Sequence, residues 1–311
     1  MFRNLPKSLG KSYLIAHFVP ALVLVAIHAL LIAYYLPLDS FWMGHWEAMP
    51  DLFKPFVFLL PAAFIGLLLL LLNPALLAVY GGLVGDRIWP LGRLRRRAQE
   101  RYAARVKRIV AIDEELARTG SNLALEQEAD ELAYTNRLRY PPDEQTVVRN
   151  ALGNALLAAE RYPARMYDIH HRTLWPRLLA VVPADFAASL DRARMLLDLI
   201  VNLSLVCVLA GVDVLIVTFQ TQRLELLAGV VVAWVLAYLV YRLAVPAAIA
   251  WGRQVKAAYD LYRRDLLARL SLAPPSTLVE EKALWLPVSQ FTMYWEAADF
   301  HFLPQIDTDF H

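Results

Sequence analysis

Residues Tyr13 to Leu36 read YLIAHFVPALVLVAIHALLIAYYL, a run nearly unbroken by charge. It exceeds the roughly 20 residues that an α-helix needs to cross a hydrocarbon core of about 30 Å. Arg3, Lys7 and Lys11 precede it, as in a signal peptide, but the run is longer than the roughly 7–15 residues of an h-region and no small-residue cleavage site follows. We therefore read residues 13–36 as a retained first span, after a short segment 1–12.

The same reading repeats along the chain. Residues 56–80 form a second span that contains Pro61 and Pro74, which membrane helices tolerate when neighbouring groups satisfy the freed carbonyls. Residues 196–219 and 227–251 form the third and fourth, joined by the polar turn 220–226 in a tight antiparallel hairpin. Composition agrees, because 58% of the 311 residues are hydrophobic and only 19% charged. Soluble domains run to about 45–50% apolar, so disorder and a disulfide-stapled secreted domain are both set aside. The single cysteine, Cys207, cannot form an internal disulfide and sits in an apolar run.

Orientation follows from lysine and arginine, which concentrate in cytoplasmic loops. They precede span one, follow span two from Arg87 to Arg105, and follow span four from Arg253 to Arg264. Loop 37–55 carries Asp39, Glu47 and Asp51 against one lysine, with Trp42 and Trp46 as interfacial aromatics, and is placed outside. The expected fold is all-α: four membrane spans with both termini cytoplasmic. A helical cytoplasmic domain, residues 81–195, is inserted between spans two and three, and residues 252–311 form a C-terminal helix and an ordered tail.

Within the inserted segment, apolar residues at three- and four-residue steps predict a helix over Arg95–Arg118, then a second that Ser121 caps and that runs to about Leu138. Glu144 to Arg161 reads as one further helix. The stretch around Trp175-Pro176 and Pro183 reads as irregular, followed by a short helix from Asp185 to Arg194 that runs into span three. The aromatic C-terminal segment, with Trp285, Phe291, Tyr294, Trp295, Phe300 and Phe302, is expected to pack on the cytoplasmic domain or on another subunit.

The run Asn150-Ala-Leu-Gly-Asn-Ala-Leu-Leu-Ala-Ala-Glu-Arg-Tyr-Pro163, followed by Leu174-Trp-Pro-Arg-Leu178, resembles a group of uncharacterised bacterial multi-pass membrane proteins. These share an LGN…AAE.YP…WPRL arrangement. Pro274-Pro275, the acidic pair Glu280-Glu281 and Trp285 are similar to their C-terminal ending. The likeness covers about a third of the chain. It implies a bacterial inner-membrane setting and carries no activity.

Polar residues inside spans are costly and are the default functional candidates. At 1.5 Å per residue, His28 and Asp213 both fall roughly 6–8 Å toward the outside of their span midpoints and are expected to meet. Asn73, Asn202 and Arg242 fall roughly 6–9 Å toward the cytoplasm, with Asp198 one turn deeper and in reach of Arg242. His28 with Asp213 reads either as a titratable pair in a proton pathway or as a packing contact. Asp168, His170 and His171 form the one close cluster of metal-type ligands in the inserted segment, but adjacent histidines diverge on a helix and no further ligand has zinc spacing. His301, Asp307, Asp309 and His311 make a weaker cluster at the tail.

Arg93, Arg95, Arg96 and Arg97 can contact anionic lipid at about 1 kcal/mol each, while the net charge of +2 gives no reason to expect nucleic acid. Gly81 to Gly85 lacks the ending of a phosphate-binding loop, and there is no nucleophile elbow, HExxH or dinucleotide fingerprint. No cofactor is expected. The partners are the bilayer, a second copy in a homo-oligomer and a cytoplasmic protein. Function is expected to be that of a non-enzymatic channel-like or scaffold component. The alternatives are a proton-coupled transporter using His28 and Asp213, or a membrane-associated enzyme centred on Asp168, His170 and His171.

Overall fold

A computed structural model describes residues 7–35, 40–85, 91–295 and 300. Among them every regular element is helical. The chain divides into two compact units, the first made of residues 1–80 and 191–247, the second of residues 81–190 and 248–311.

In the first unit, α1 (Lys7–Tyr13) passes through a π-helical turn (Leu14–Phe18) into α2 (Val19–Tyr35). Then come α3 (Ser40–Ala48) and α4 (Lys54–Tyr80). Helix α3 lies within the segment 37–55 that connects the first two apolar stretches. On α4 the buried residues Ala62, Gly66, Leu69, Asn73 and Leu77 recur every three or four positions, which is one face of a helix. Gly66 lets that face close on the π turn: a Cβ there would stand 3.1 Å from the Tyr13 hydroxyl and 3.2 Å from Phe18 Cα.

Helix α10 (Ala184–Thr221) is continuous, so the expected short helix 185–194 is simply its first turns. It ends beside Gln222, which has a positive φ, and a 3-10 turn (Leu224–Leu226) leads into α11 (Leu227–Arg269). Contacts between them run in opposite directions along the chain. Ser204 Oγ donates to Ala237 O at 2.9 Å, Trp234 Nε1 donates to Val208 O at 3.3 Å, and a Cβ on Gly229 would meet Val214 Cγ1 at 3.4 Å. The two helices are therefore antiparallel, and Gly211, against the Trp234 indole, is where they close most tightly. Four helical stretches, Gly10–Tyr35, Lys54–Tyr80, Ala184–Thr221 and Leu224–Arg269, are long and apolar enough to cross a membrane.

The second unit opens with a hairpin of α5 (Leu91–Thr119) and α6 (Leu123–Arg139), joined at Gly120, whose φ of 80° suits glycine. Arg108 Nε and Nη2 grip the two carboxylate oxygens of Glu128 across it at 3.0 and 3.1 Å. Asn122, not Ser121, caps α6: its Oδ1 accepts from the Ala124 and Leu125 amides, while the Ser121 hydroxyl donates to Glu126. The helix expected over 144–161 is broken, with a 3-10 turn (Glu144–Thr146) preceding α7 (Ala151–Glu160). The break is held by Asn154, whose side chain accepts from the Val148 amide at 2.8 Å and donates to the Val148 carbonyl at 2.9 Å. A buried amide that satisfies both ends of one residue stabilises an extended connection that helix propensity alone would not choose.

The stretch read as irregular is two short helices, α8 (Tyr162–Tyr167) and α9 (His171–Leu179). Asp168 separates them in the left-handed conformation at φ 59°. After Pro274 and Pro275, Thr277 caps α12 (Leu278–Tyr294), which packs on α8 and α9. Trp285 on α12, Tyr259 on α11, and Leu174 and Leu178 on α9 are fully buried in one core. Phe300 stacks edge-on with Phe291 at 5.6 Å. Phe302 and the rest of the tail from residue 301, with His301, Asp307, Asp309 and His311, lie outside the described residues.

Candidate functional site

The first unit holds the polar residues singled out in the apolar stretches. His28 on α2 and Asp213 on α10 come together, with Nδ1 3.3 Å from Oδ2. Their surroundings are uneven. The His28 side chain is 58% exposed and that of Asp213 21%, so the pair sits toward the outside of the unit.

The deeper layer is assembled differently from the expected one. Asn202 is fully buried and donates through Nδ2 to Ala16 O at 2.7 Å and to His17 Nδ1 at 2.9 Å. An amide nitrogen only donates, so His17 Nδ1 accepts and the ring proton sits on Nε2. His17 is 4% exposed and belongs to the π turn, where Val19 N–H reaches back five residues to Leu14 O. Such turns recur at functional positions because they shift the helix face and loosen backbone pairing. Asp198 does not meet Arg242. It is held by Arg194, one turn away on the same helix, whose Nε lies 3.0 and 3.1 Å from the two carboxylate oxygens. The (i, i+4) geometry explains this, since such neighbours stand side by side on one helix face. Arg242 is exposed and donates to the Tyr238 hydroxyl at 3.1 Å. Asn73 is buried on the inward face of α4, and its Oδ1, like that of Asn202, has no hydrogen-bond partner among the described residues.

His17 was absent from the candidate set. Its spacing of three turns from His28 suggests that the two rings share a face, yet one is buried and the other exposed. Ala21, past the π turn and two regular turns before His28, is buried as well, so this face is covered near His17 and uncovered near His28.

In the second unit, the arginines of α5 divide. Arg95 is committed to the fold, donating to Val147 O at 3.1 Å and Gln145 O at 2.7 Å, whereas Arg93, Arg96 and Arg97 are exposed. Asp168, His170 and His171 do not converge. The Asp168 carbonyl accepts from Ser289 Oγ, His170 Nδ1 faces Thr173 Oγ1 at 3.2 Å, and His171 Nδ1 faces the Tyr259 hydroxyl at 3.0 Å. Among the described residues no group of three or more metal-type side chains stands close enough to hold an ion. Burial pulls the His171 imidazole down to about 4, so the ring is neutral at ordinary pH.

Two acidic residues anchor α11 in ways the sequence did not announce. Asp260 Oδ1 accepts from the hydroxyls of Tyr162 at 2.7 Å and Tyr167 at 2.6 Å. Burial, with the Asp260 carboxylate beside them, raises both phenols above their ordinary range. Glu281, 1% exposed, takes a forked bond from Arg263 at 2.6 and 3.3 Å and a weaker one from Trp285 Nε1 at 3.4 Å. The Arg263 guanidinium also lies 4.2 Å from the centre of the Tyr167 ring and donates to the carbonyls of Tyr259 and Asp260. A small cleft of about 160 Å³ opens beside this network, lined by Glu160, Arg161, Ala164, His170, His171 and Arg172. Glu160 and Arg172 are already paired at 2.9 Å. Through Asp260 and Glu281 the network ties α11 to α8 and α12.

Comparison of the chain with family models, with curated proteins and with solved structures found no match.

Proposed function

We propose that the chain is an integral protein of a bacterial inner membrane, with four spans and both termini cytoplasmic. In this reading its second unit is a cytoplasmic helical body that recruits a partner, and the role is that of a scaffold, not of an enzyme. The observation that carries the reading is the way polar groups are spent. His17, Asn202 and Asp198 are buried and tied to neighbouring backbone or side chains, and the acidic residues Asp260 and Glu281 hold helices together. Lysine and arginine bias supports the orientation. The test is to reconstitute the full chain in planar bilayers and to label a C-terminal tag from each side of the membrane in cells. The expected outcome is no conductance and labelling from the cytoplasmic side alone. A steady conductance that Asn202→Leu abolishes would replace the scaffold with a channel.

A second reading, a proton-coupled transporter, draws on the 3.3 Å contact of His28 with Asp213, since imidazole and carboxylate together can pass a proton. It requires proton flux in reconstituted vesicles that His28→Ala and Asp213→Asn each remove. Flux unchanged in both variants ends it.

A further inference from the structure

The first unit sorts its polar side chains sharply. In the membrane-length helices His17, Asn73, Asp198 and Asn202 are each no more than 7% exposed, yet the His28 side chain is 58% exposed. His28 lies seven residues inside the Tyr35 end of α2, about 10 Å along the axis. In a hydrocarbon core of about 30 Å that is well below the interface, and a short imidazole cannot reach water as an arginine stem can. Arg242, also exposed, has that stem and a phenol to hold its head. For His28 and Asp213 lipid offers nothing, and ionisable groups within a bilayer turn toward protein or water.

The pair also has unspent hydrogen-bonding capacity of a particular kind. His28 Nδ1 faces Asp213 Oδ2, and among the described residues no hydrogen bond engages the ring's Nε2 or the carboxylate's Oδ1. One outward group is a nitrogen that donates when protonated, and the other is an acceptor. Such a patch is its own complement under a two-fold axis, where each copy's donor meets the other's acceptor. Around it Leu209 and Ile216 are exposed and share the α10 face of Asp213, four residues before it and three after, with exposed Val212 beside them, an apolar seam with a polar centre.

We propose that this face docks a second copy of the chain within the bilayer, the His28 ring of each copy donating to the Asp213 carboxylate of the other. This rests on the membrane reading above.

The experiment uses the full chain with Cys207→Ser and Ile216→Cys, reconstituted at low density in phosphatidylethanolamine–phosphatidylglycerol vesicles and oxidised. A disulfide-linked dimer is expected. His28→Leu or Asp213→Asn should each raise the dimer dissociation constant about tenfold, the scale of one or two interhelical hydrogen bonds. The exchanged variant His28→Asp with Asp213→His should restore dimer. A monomer throughout, a dimer indifferent to either single change, or an exchanged variant that stays monomeric would each overturn the proposal. So would labelling of His28→Cys by a charged, impermeant thiol reagent, which would mean water covers this face. Alkaline carbonate extraction separates the two readings. Release of the chain from membranes sinks both, whereas a chain that is retained yet monomeric sinks only the dimer.

Discussion

Arg263→Met should destabilise the second unit more than any other single change to its polar network. Glu281 is 1% exposed and Arg263 14%, so the ion pair is buried, and removing the arginine strands a carboxylate away from water. Breaking a buried pair from one side costs about 3–5 kcal/mol. The other donors cannot compensate: Trp285 Nε1 stands at 3.4 Å and Arg264 Nη2 at 3.9 Å. For a unit of this size each kcal/mol moves the unfolding midpoint by about 2–4 °C, so the expected drop is about 6–20 °C. Glu281→Met should also cost stability, because Arg263 then loses its forked acceptor while keeping the carbonyls of Tyr259 and Asp260. The double variant removes both charges and fills the space with thioether side chains. It should be clearly more stable than Arg263→Met alone, since replacing a buried pair by apolar groups is often neutral. Tryptophan fluorescence during heating of the detergent-solubilised chain reads the transition directly, as Trp285 is fully buried beside the pair. A drop below about 2 °C for Arg263→Met, or a double variant no better than it, would refute the claim that this contact is a desolvated ion pair.

Two further outcomes follow from the same unit. Gly153→Ala would drive a Cβ into the carbonyl oxygen of Gly81, a backbone atom with no rotamer to escape into, and should cost about 1–3 kcal/mol or more. Gly10→Ala, with nothing within 4 Å, is the control, and equal melting of the two variants would contradict the close approach. His171 is held near 4 by burial against an ordinary value of 6.5, with Glu160 opposing that shift and His170 and Arg172 adding to it. Its folded state therefore binds fewer protons than the unfolded state between those values. The stability it contributes is present above pH 6.5 and is lost as pH falls toward 4, with a slope of at most about 1.4 kcal/mol per pH unit. His171→Gln should flatten the melting temperature over pH 6.5 to 4 relative to the parent chain. Parallel curves would count against a neutral, buried ring.

The helices were legible wherever apolar spacing alone decides the outcome. The four long apolar stretches follow from run length, and the α5–α6 hairpin and the continuation of α11 past residue 251 from periodicity, because a helix that buries one face must repeat every three or four residues. What periodicity missed were places where one side chain redirects the backbone. Asn154 takes both polar groups of Val148 and so splits the stretch 144–161, and Asp168 adopts a left-handed turn that lets α8 and α9 form around prolines read as breakers. The quoted LGN…AAE.YP…WPRL residues have structural work of this kind. Gly153 admits Gly81, Tyr162 reaches Asp260, and Leu174 and Leu178 fill the core. A run with such specific neighbours signals packing constraints before it signals chemistry.

Axial position and burial were not equally readable in the apolar helices. Depth along a helix follows from counting residues, which is why His28 and Asp213 were expected at one level and stand 3.3 Å apart. Whether a face is covered depends on what packs against it at that level. His17 and Ala21 are buried while His28, two turns beyond Ala21 on the same face, is exposed. Asp198 shows the same limit from another side, because a neighbour one turn away on its own helix competes at no loop-closure cost with any residue on another. Arg194 therefore claims the carboxylate, and Arg242 is left to the phenol four residues before it. Same-helix partners should thus be exhausted before an interhelical pair is read from depth, and His28 passes that test. No acidic residue lies within four positions of it, so its carboxylate had to come from another helix.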